Sequence, residues 1–280
     1  MNRGGIMKNI FILFFSLLIL FSLGCSSETG ETGLPAFAKQ IEVFGLHVYA
    51  TENVPDEKMR HAAIVLAEYL DNNEDGVPDN QKVLDALLAR NTCIVMGKDE
   101  EEMHALDRSA LPPGETQGLW AEETRPGGAE RGVFDATLEE IIHPITFAGY
   151  NHAYPDVFGT VPGTVVADIM DEARGGHFED VPEQYPDGAW YTYYDETCDY
   201  ECQITEYIYW ALTSILGAQD FPGRLEQINE EWRYNTEEKV KKGDPKIYAL
   251  LTDPQYNFPT VLPNGEYKAK SFTIEEYQGH

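Results

Sequence analysis

Glu139-Glu140-Ile141-Ile142-His143 sets two carboxylates and an imidazole within one short stretch. On a helix, Glu139 and His143 stand at i and i+4, and Glu140 and His143 at i and i+3, so all three share a face. Two of them can hold a divalent metal while the third works on what the metal binds. Asp135 is placed to cap the helix, and Glu139 and Glu140 lie early enough to suit its positive end. Pro144 lacks the amide that would bond the Glu140 carbonyl, so the helix is expected to kink or end there. Further along, Glu206 sits inside the apolar run Thr205–Leu212. A buried carboxylate is costly without a partner, so Glu206 is expected to meet a metal or a cation such as Arg174.

The central stretch resembles the zincin helix H-E-x-x-H, with Glu139 in place of the first His. The resemblance spans Leu119–Trp210, where a strand, a turn and a helix follow in the order that zinc peptidases of this fold use. It implies Glu139 and His143 as metal ligands, Glu140 as general base, and Glu206, on a later helix, as third ligand. Tyr209 or Tyr150 would donate to a developing oxyanion. The implied activity is peptide hydrolysis with zinc or another divalent transition metal, which a site hardened by Glu139 also suits. His152 is a reserve ligand only. Two alternatives stay open: a surface helix with an acidic stripe, and a non-catalytic module that binds peptide or glycan through aromatics such as Trp190–Tyr194.

Asp71-Asn72-Asn73-Glu74-Asp75-Gly76-Val77-Pro78-Asp79 reads D-x-N-x-D-G-x-x-D and resembles the EF-hand calcium loop. Calcium needs hard oxygens, which Asp71, Asn73, Asp75, the Val77 carbonyl and Asp79 would supply, with Gly76 making the sharp turn. Lys82 stands where an EF-hand has its bidentate Glu, which points to a structural staple and not a sensor. A solvated Asp/Asn turn is the plainer alternative.

Residues 1–24 read as an export signal: Arg3 and Lys8 precede the apolar run Ile10–Leu23, too short to span a bilayer comfortably. Ser22-Leu23-Gly24-Cys25 resembles the lipoprotein signal of bacteria, which implies lipidation of Cys25 and a membrane anchor in the cell envelope. Residues 25–36 form a polar tether. Of 20 basic and 48 acidic residues, removing the signal deletes only Arg3 and Lys8, leaving 18 against 48 and a net charge of −30. Such a surface repels nucleic acid. In an exported chain Cys198 and Cys202 are close enough to form a disulfide if Asp199–Glu201 turns, while Cys93 reads as a buried strand thiol.

These elements predict one α+β domain over 37–280, zincin-like and mostly helical in its second half, with a calcium-loop lobe at 37–110 and a metal-site lobe at 111–280. Strands are expected at Ile41–Ala50, Cys93–Met96, Thr116–Thr124 (exposed) and Trp190–Tyr194. Helices are expected at Glu57–Leu70 (capped by Asp56), Asn80–Ala89, Thr164–Arg174, across Leu225–Lys241 and at Asp244–Leu251, with Gln255–Tyr267 as an extended closing segment.

Overall fold

The computed structural model describes residues 36–106 and 111–278. The export signal, Cys25 and nearly all of the tether lie outside the described residues. The chain is α+β. In order come β1 (Phe37–Val43), β2 (Leu46–Thr51), α1 (Asp56–Leu70), α2 (Gln81–Ala89), β3 (Cys93–Gly97), α3 (Glu100–Ala105) and β4 (Thr116–Trp120). Then follow α4 (Thr137–Pro144), a π-helical stretch Ile145–Tyr150, α5 (Asn151–Ala153), α6 (Pro155–Phe158), α7 (Val165–Arg174) and α8 (Tyr200–Ile215). The chain closes with α9 (Arg224–Ile228), α10 (Glu237–Gly243), α11 (Pro245–Leu251) and β5 (Glu275–Glu276).

The sheet runs β4-β3-β2-β1-β5, with β1 antiparallel to β2 and β5, and β2, β3 and β4 mutually parallel. Alternation along the strands builds two apolar faces. Val48, Ala50, Ile94, Met96 and Leu119 enter the main core with α1, α4 and α8, while Tyr49, Cys93 and Val95 pack with Met103 and Leu106 on the other face. The main core draws on residues from Ile41 to Phe272, so one buried cluster runs through both expected lobes. Among the described residues no helix is long and apolar enough to cross a membrane.

Several expectations are corrected. Ile41–Ala50 is not one strand but two, joined by Phe44-Gly45 with φ of 53° and 85°. Asp56 is inside α1 rather than its cap, which is Pro55. Trp190–Tyr194 forms no strand beyond the single bridge of Tyr191 to Trp232; Tyr191 and Tyr193 are drawn into the core while Tyr194 is exposed. Leu225–Lys241 is broken into α9 and α10, with buried Trp232 in the turn between them. β4 is an edge strand, but Gln117 and Leu119 on it are buried.

The α-helical hydrogen bonding of α4 ends at Pro144, as expected, but the chain does not leave the helical region there: φ and ψ are helical at Pro144, Ile145, Tyr150 and Asn151. The missing amide is absorbed by widening into the π-helical turn, as occurs where a helix must take up an extra residue. Gly149 lies where a Cβ would stand 2.7 Å from Val83, so the absence of a side chain lets this turn press onto α2.

Candidate metal centre

α4 packs between α1, β4 and α8. Leu138, Ile141 and Ile142 fill the core, Glu139 and His143 meet Glu206 across the α4–α8 seam, and Glu140 turns toward β4. Asp135 steadies the start of this helix, although the capping position itself falls on Ala136. Its Oδ1 accepts from the amides of Arg125 (2.8 Å) and Thr137 (3.2 Å), and its Oδ2 bonds Nε2 of the buried His61 on α1 at 2.7 Å. Through the seam α8 presents Glu206 and, one turn on, Tyr209.

Glu139, His143 and Glu206 each offer a ligand atom, and these atoms lie within 4.8 Å of one another. His143 and Glu206 are each 1% exposed. Neither nitrogen of His143 has a hydrogen-bond partner, nor does Oε1 of Glu206. His143 Nε2 stands 3.6 Å from Glu206 Oε2 and Nδ1 stands 3.7 Å from Glu140 Oε2. Those gaps are too long for hydrogen bonds. The first is close to the ~3.4 Å expected between two ligands of a tetrahedral cation with bonds of about 2.1 Å. Buried polar atoms left unpaired are costly, and a cation among them would satisfy them together. The donor set, two carboxylates and one imidazole, fits a divalent metal. Arg174 does not pair with Glu206; its partners are Asp171, Gln203 and the Phe178 carbonyl.

The electrostatics point the same way. Burial, then the Glu206 and Glu140 carboxylates, push the Glu139 carboxyl up to about 8, with a hydrogen bond from Tyr209 pulling the other way. Burial alone would depress His143, but Glu206 and Glu140 outweigh it and hold the imidazole well above its ordinary value. Burial followed by Glu140 and Glu139 raises Glu123 to about 9, and burial followed by Glu206 raises Glu231 to about 7. Crowded carboxyls around one imidazole favour a cation.

A cavity of about 440 Å³ opens beside the cluster. Glu139 and Tyr209 belong to its wall, together with Glu123, Arg125, Phe134, Trp210, Arg224 and Glu231. Tyr209 also packs edge-on against the His143 ring, centroids 5.6 Å apart. Glu140 is not part of that wall. It is 3% exposed, accepts from Gln117 Nε2 of β4 at 2.6 Å, and faces Nδ1 of His143, across the ring from Glu206. This placement does not suit the general-base role expected of it. Tyr150 also lies elsewhere: its hydroxyl donates to the carbonyls of Tyr256 and Asn257. His152 is exposed on α5, outside the cluster. Sequence reasoning missed Gln117, Glu123, Arg224 and Glu231, whose surroundings are assembled from segments far apart in the chain.

The Asp71–Asp79 loop joins α1 to α2 with Gly76 in the left-handed region at φ 89°. Asp71 accepts from the Asp75 and Gly76 amides and from the Tyr267 hydroxyl; Asn73 accepts from the Asp75 amide, and Asp75 from the Val77 amide. Asp79 accepts from the Asn72 amide and the Asn73 side chain. With their oxygens turned to these donors, Asp71, Asp75 and Asp79 do not converge as closely as the central triad does. The donor set is nonetheless all oxygen, as calcium requires. Burial, then the Asp71 and Asp75 charges, raise the Asp79 carboxyl, so a cation there would relieve repulsion. The closing segment clasps the loop: Asn72 bonds Thr260 and Val261, and Glu68 accepts from the amides of Asn264 and Gly265.

Cys198 and Cys202 form a disulfide across the first turn of α8. Comparison with protein-family profiles, curated proteins and solved structures finds no match.

Proposed function

We propose that this chain is a metal-dependent hydrolase of zincin-like type that cleaves peptide bonds, exported and lipid-anchored at Cys25 in the bacterial cell envelope. Its first lobe would be stapled by calcium in the EF-hand-like loop. The observation that carries the reading is the buried convergence of Glu139, His143 and Glu206, with both His143 nitrogens lacking any hydrogen-bond partner. The resemblance of Glu139–His143 to the zincin helix, beside the edge strand β4, supports it. Three protein ligands beside an open cavity is the pattern of a catalytic site, in which the metal supplies Lewis acidity.

In this reading Glu140, held by Gln117, supplies negative charge on the Nδ1 side of the imidazole, while Nε2 stands on the side of Glu206. Glu231, the carboxyl of the cavity wall that is neither in the metal cluster nor bonded to the Trp120 amide, takes the proton of the attacking water. Tyr209, on the same wall, donates to the oxygen on which charge develops. The test is turnover of a peptide library by the metal-loaded chain and its Glu231→Gln variant. Loss of at least about 100-fold in kcat with metal content unchanged is expected for a removed general base. Undiminished turnover in the variant would remove Glu231 from the mechanism.

A further inference from the structure

Arg125 and Arg224 both line the cavity beside Glu139. Among the described residues, six lysine and arginine side chains have a carboxylate within 4.0 Å: Lys39, Arg60, Lys98, Arg174, Lys246 and Lys268. Among the described residues, neither Arg125 nor Arg224 has one within 4.0 Å.

Arg224 is instead fixed by neutral groups. Its Nε donates to Gln219 Oε1 at 2.6 Å and its Nη1 to Gln227 Oε1 at 3.2 Å. The guanidinium carbon sits 4.5 Å from the centre of the Phe134 ring and 5.7 Å from that of Trp210. Gln219 is itself fully buried and anchored to Tyr209 and Thr213. The guanidinium is thus held in place by neutral groups and forms no close ion pair, which leaves its fork set for an anionic oxygen pair from outside the protein. The other carboxyls of the wall are occupied or set apart. Glu123 accepts from the Trp120 amide and feels the Arg125 charge, Glu139 belongs to the metal cluster, and Glu231 feels the Arg224 charge without forming an ion pair with it.

We propose that the cavity binds the free C-terminal carboxylate of a short peptide at Arg224, with Arg125 as the second cation. The volume of about 440 Å³ suits a ligand of small-molecule size. This deepens the hydrolase reading and rests on it for what happens to the bound peptide, which would be cut near its C-terminus. The carboxylate site itself stands or falls separately.

The test uses the full chain stripped of transition metal with calcium restored, so that no carboxylate binds through a metal. Calorimetry compares N-acetyl-alanyl-phenylalanine, its C-terminal amide and inorganic phosphate, in the native chain and in Arg224→Gln. The expected result is that the acid binds at least about 10-fold more tightly than the amide and than phosphate. That preference should vanish in Arg224→Gln and weaken in Arg125→Gln. Equal binding of acid and amide in the native chain would overturn the proposal without recourse to any variant. So would binding of neither, a phosphate affinity equal to that of the acid, or a preference that survives in Arg224→Gln. None of these outcomes touches the metal reading, which metal content measures independently.

Discussion

Removing the transition metal should make the stability of this protein fall as pH rises. Glu139 titrates at 4.5 in an unfolded chain and at about 8 in the folded one, where burial and then the Glu206 and Glu140 carboxylates oppose its charge. Between those values the folded state holds a proton that the unfolded state has released. Stability then drops by about 1.4 kcal/mol per pH unit for that proton, or about 2.7 kcal/mol from about pH 5.5 to about pH 7.5. His143, also raised, and Glu123, at about 9, push in the same direction. For a domain of this length the melting temperature should fall by about 5–10 °C. A bound metal takes over the role of those protons and should flatten the slope. The assay is a series of thermal melts across that pH range with calcium kept saturating, run with transition metal and with a chelator that spares calcium. Glu139→Gln should show a shallower slope in the metal-free series. A melting temperature that stays level or rises with pH in the metal-free chain would refute the electrostatic account of the cluster, as would a slope that metal leaves unchanged.

Other elements give sharper local tests. Asn72→Ala removes the side chain that Thr260 and Val261 bond, and should cost about 1–3 kcal/mol with faster amide exchange confined mainly to residues 257–268; unchanged exchange there would mean the closing segment does not depend on the loop. Replacing Cys198 and Cys202 by Ser opens a loop of separation 4, for which chain entropy gives about 2 kcal/mol. Urea unfolding with and without the bridge measures it, and a loss above about 4 kcal/mol would assign the disulfide a larger role than closing a short loop.

The central triad was legible in unequal parts. Glu139 and His143 show themselves by i,i+4 spacing, a local signal that a helix turns directly into proximity. Glu206 is legible for an energetic reason: a carboxylate within Thr205–Leu212 has to meet a partner. Its partner is set by how α8 crosses α4, which no local pattern records, and Arg174 was as good a candidate until its bonds to Asp171 and Gln203 were seen. Gln117, Arg224 and Glu231 carry no such mark. Arg224 and Glu231 take their meaning only from the assembled cavity, and Gln117 only from its bond to Glu140, which crosses from β4 to α4. The α+β class and most helices followed from apolar periodicity. The turn at Phe44-Gly45 escaped because a phenylalanine in the left-handed region carries no turn signature. Trp190–Tyr194 misled because aromatic content favours strands only where a neighbouring strand exists to pair with.

The central claim is that Glu139, His143 and Glu206 hold a metal, and elemental analysis tests it most directly. The chain from Ser26 onward, exhaustively dialysed, is compared with its His143→Ala variant. One transition-metal ion per native chain, absent from the variant while calcium stays the same in both, is the predicted result. Calcium alone in both proteins, or an equal transition-metal content in the two, would contradict the account and leave α4 a structural helix with an acidic face.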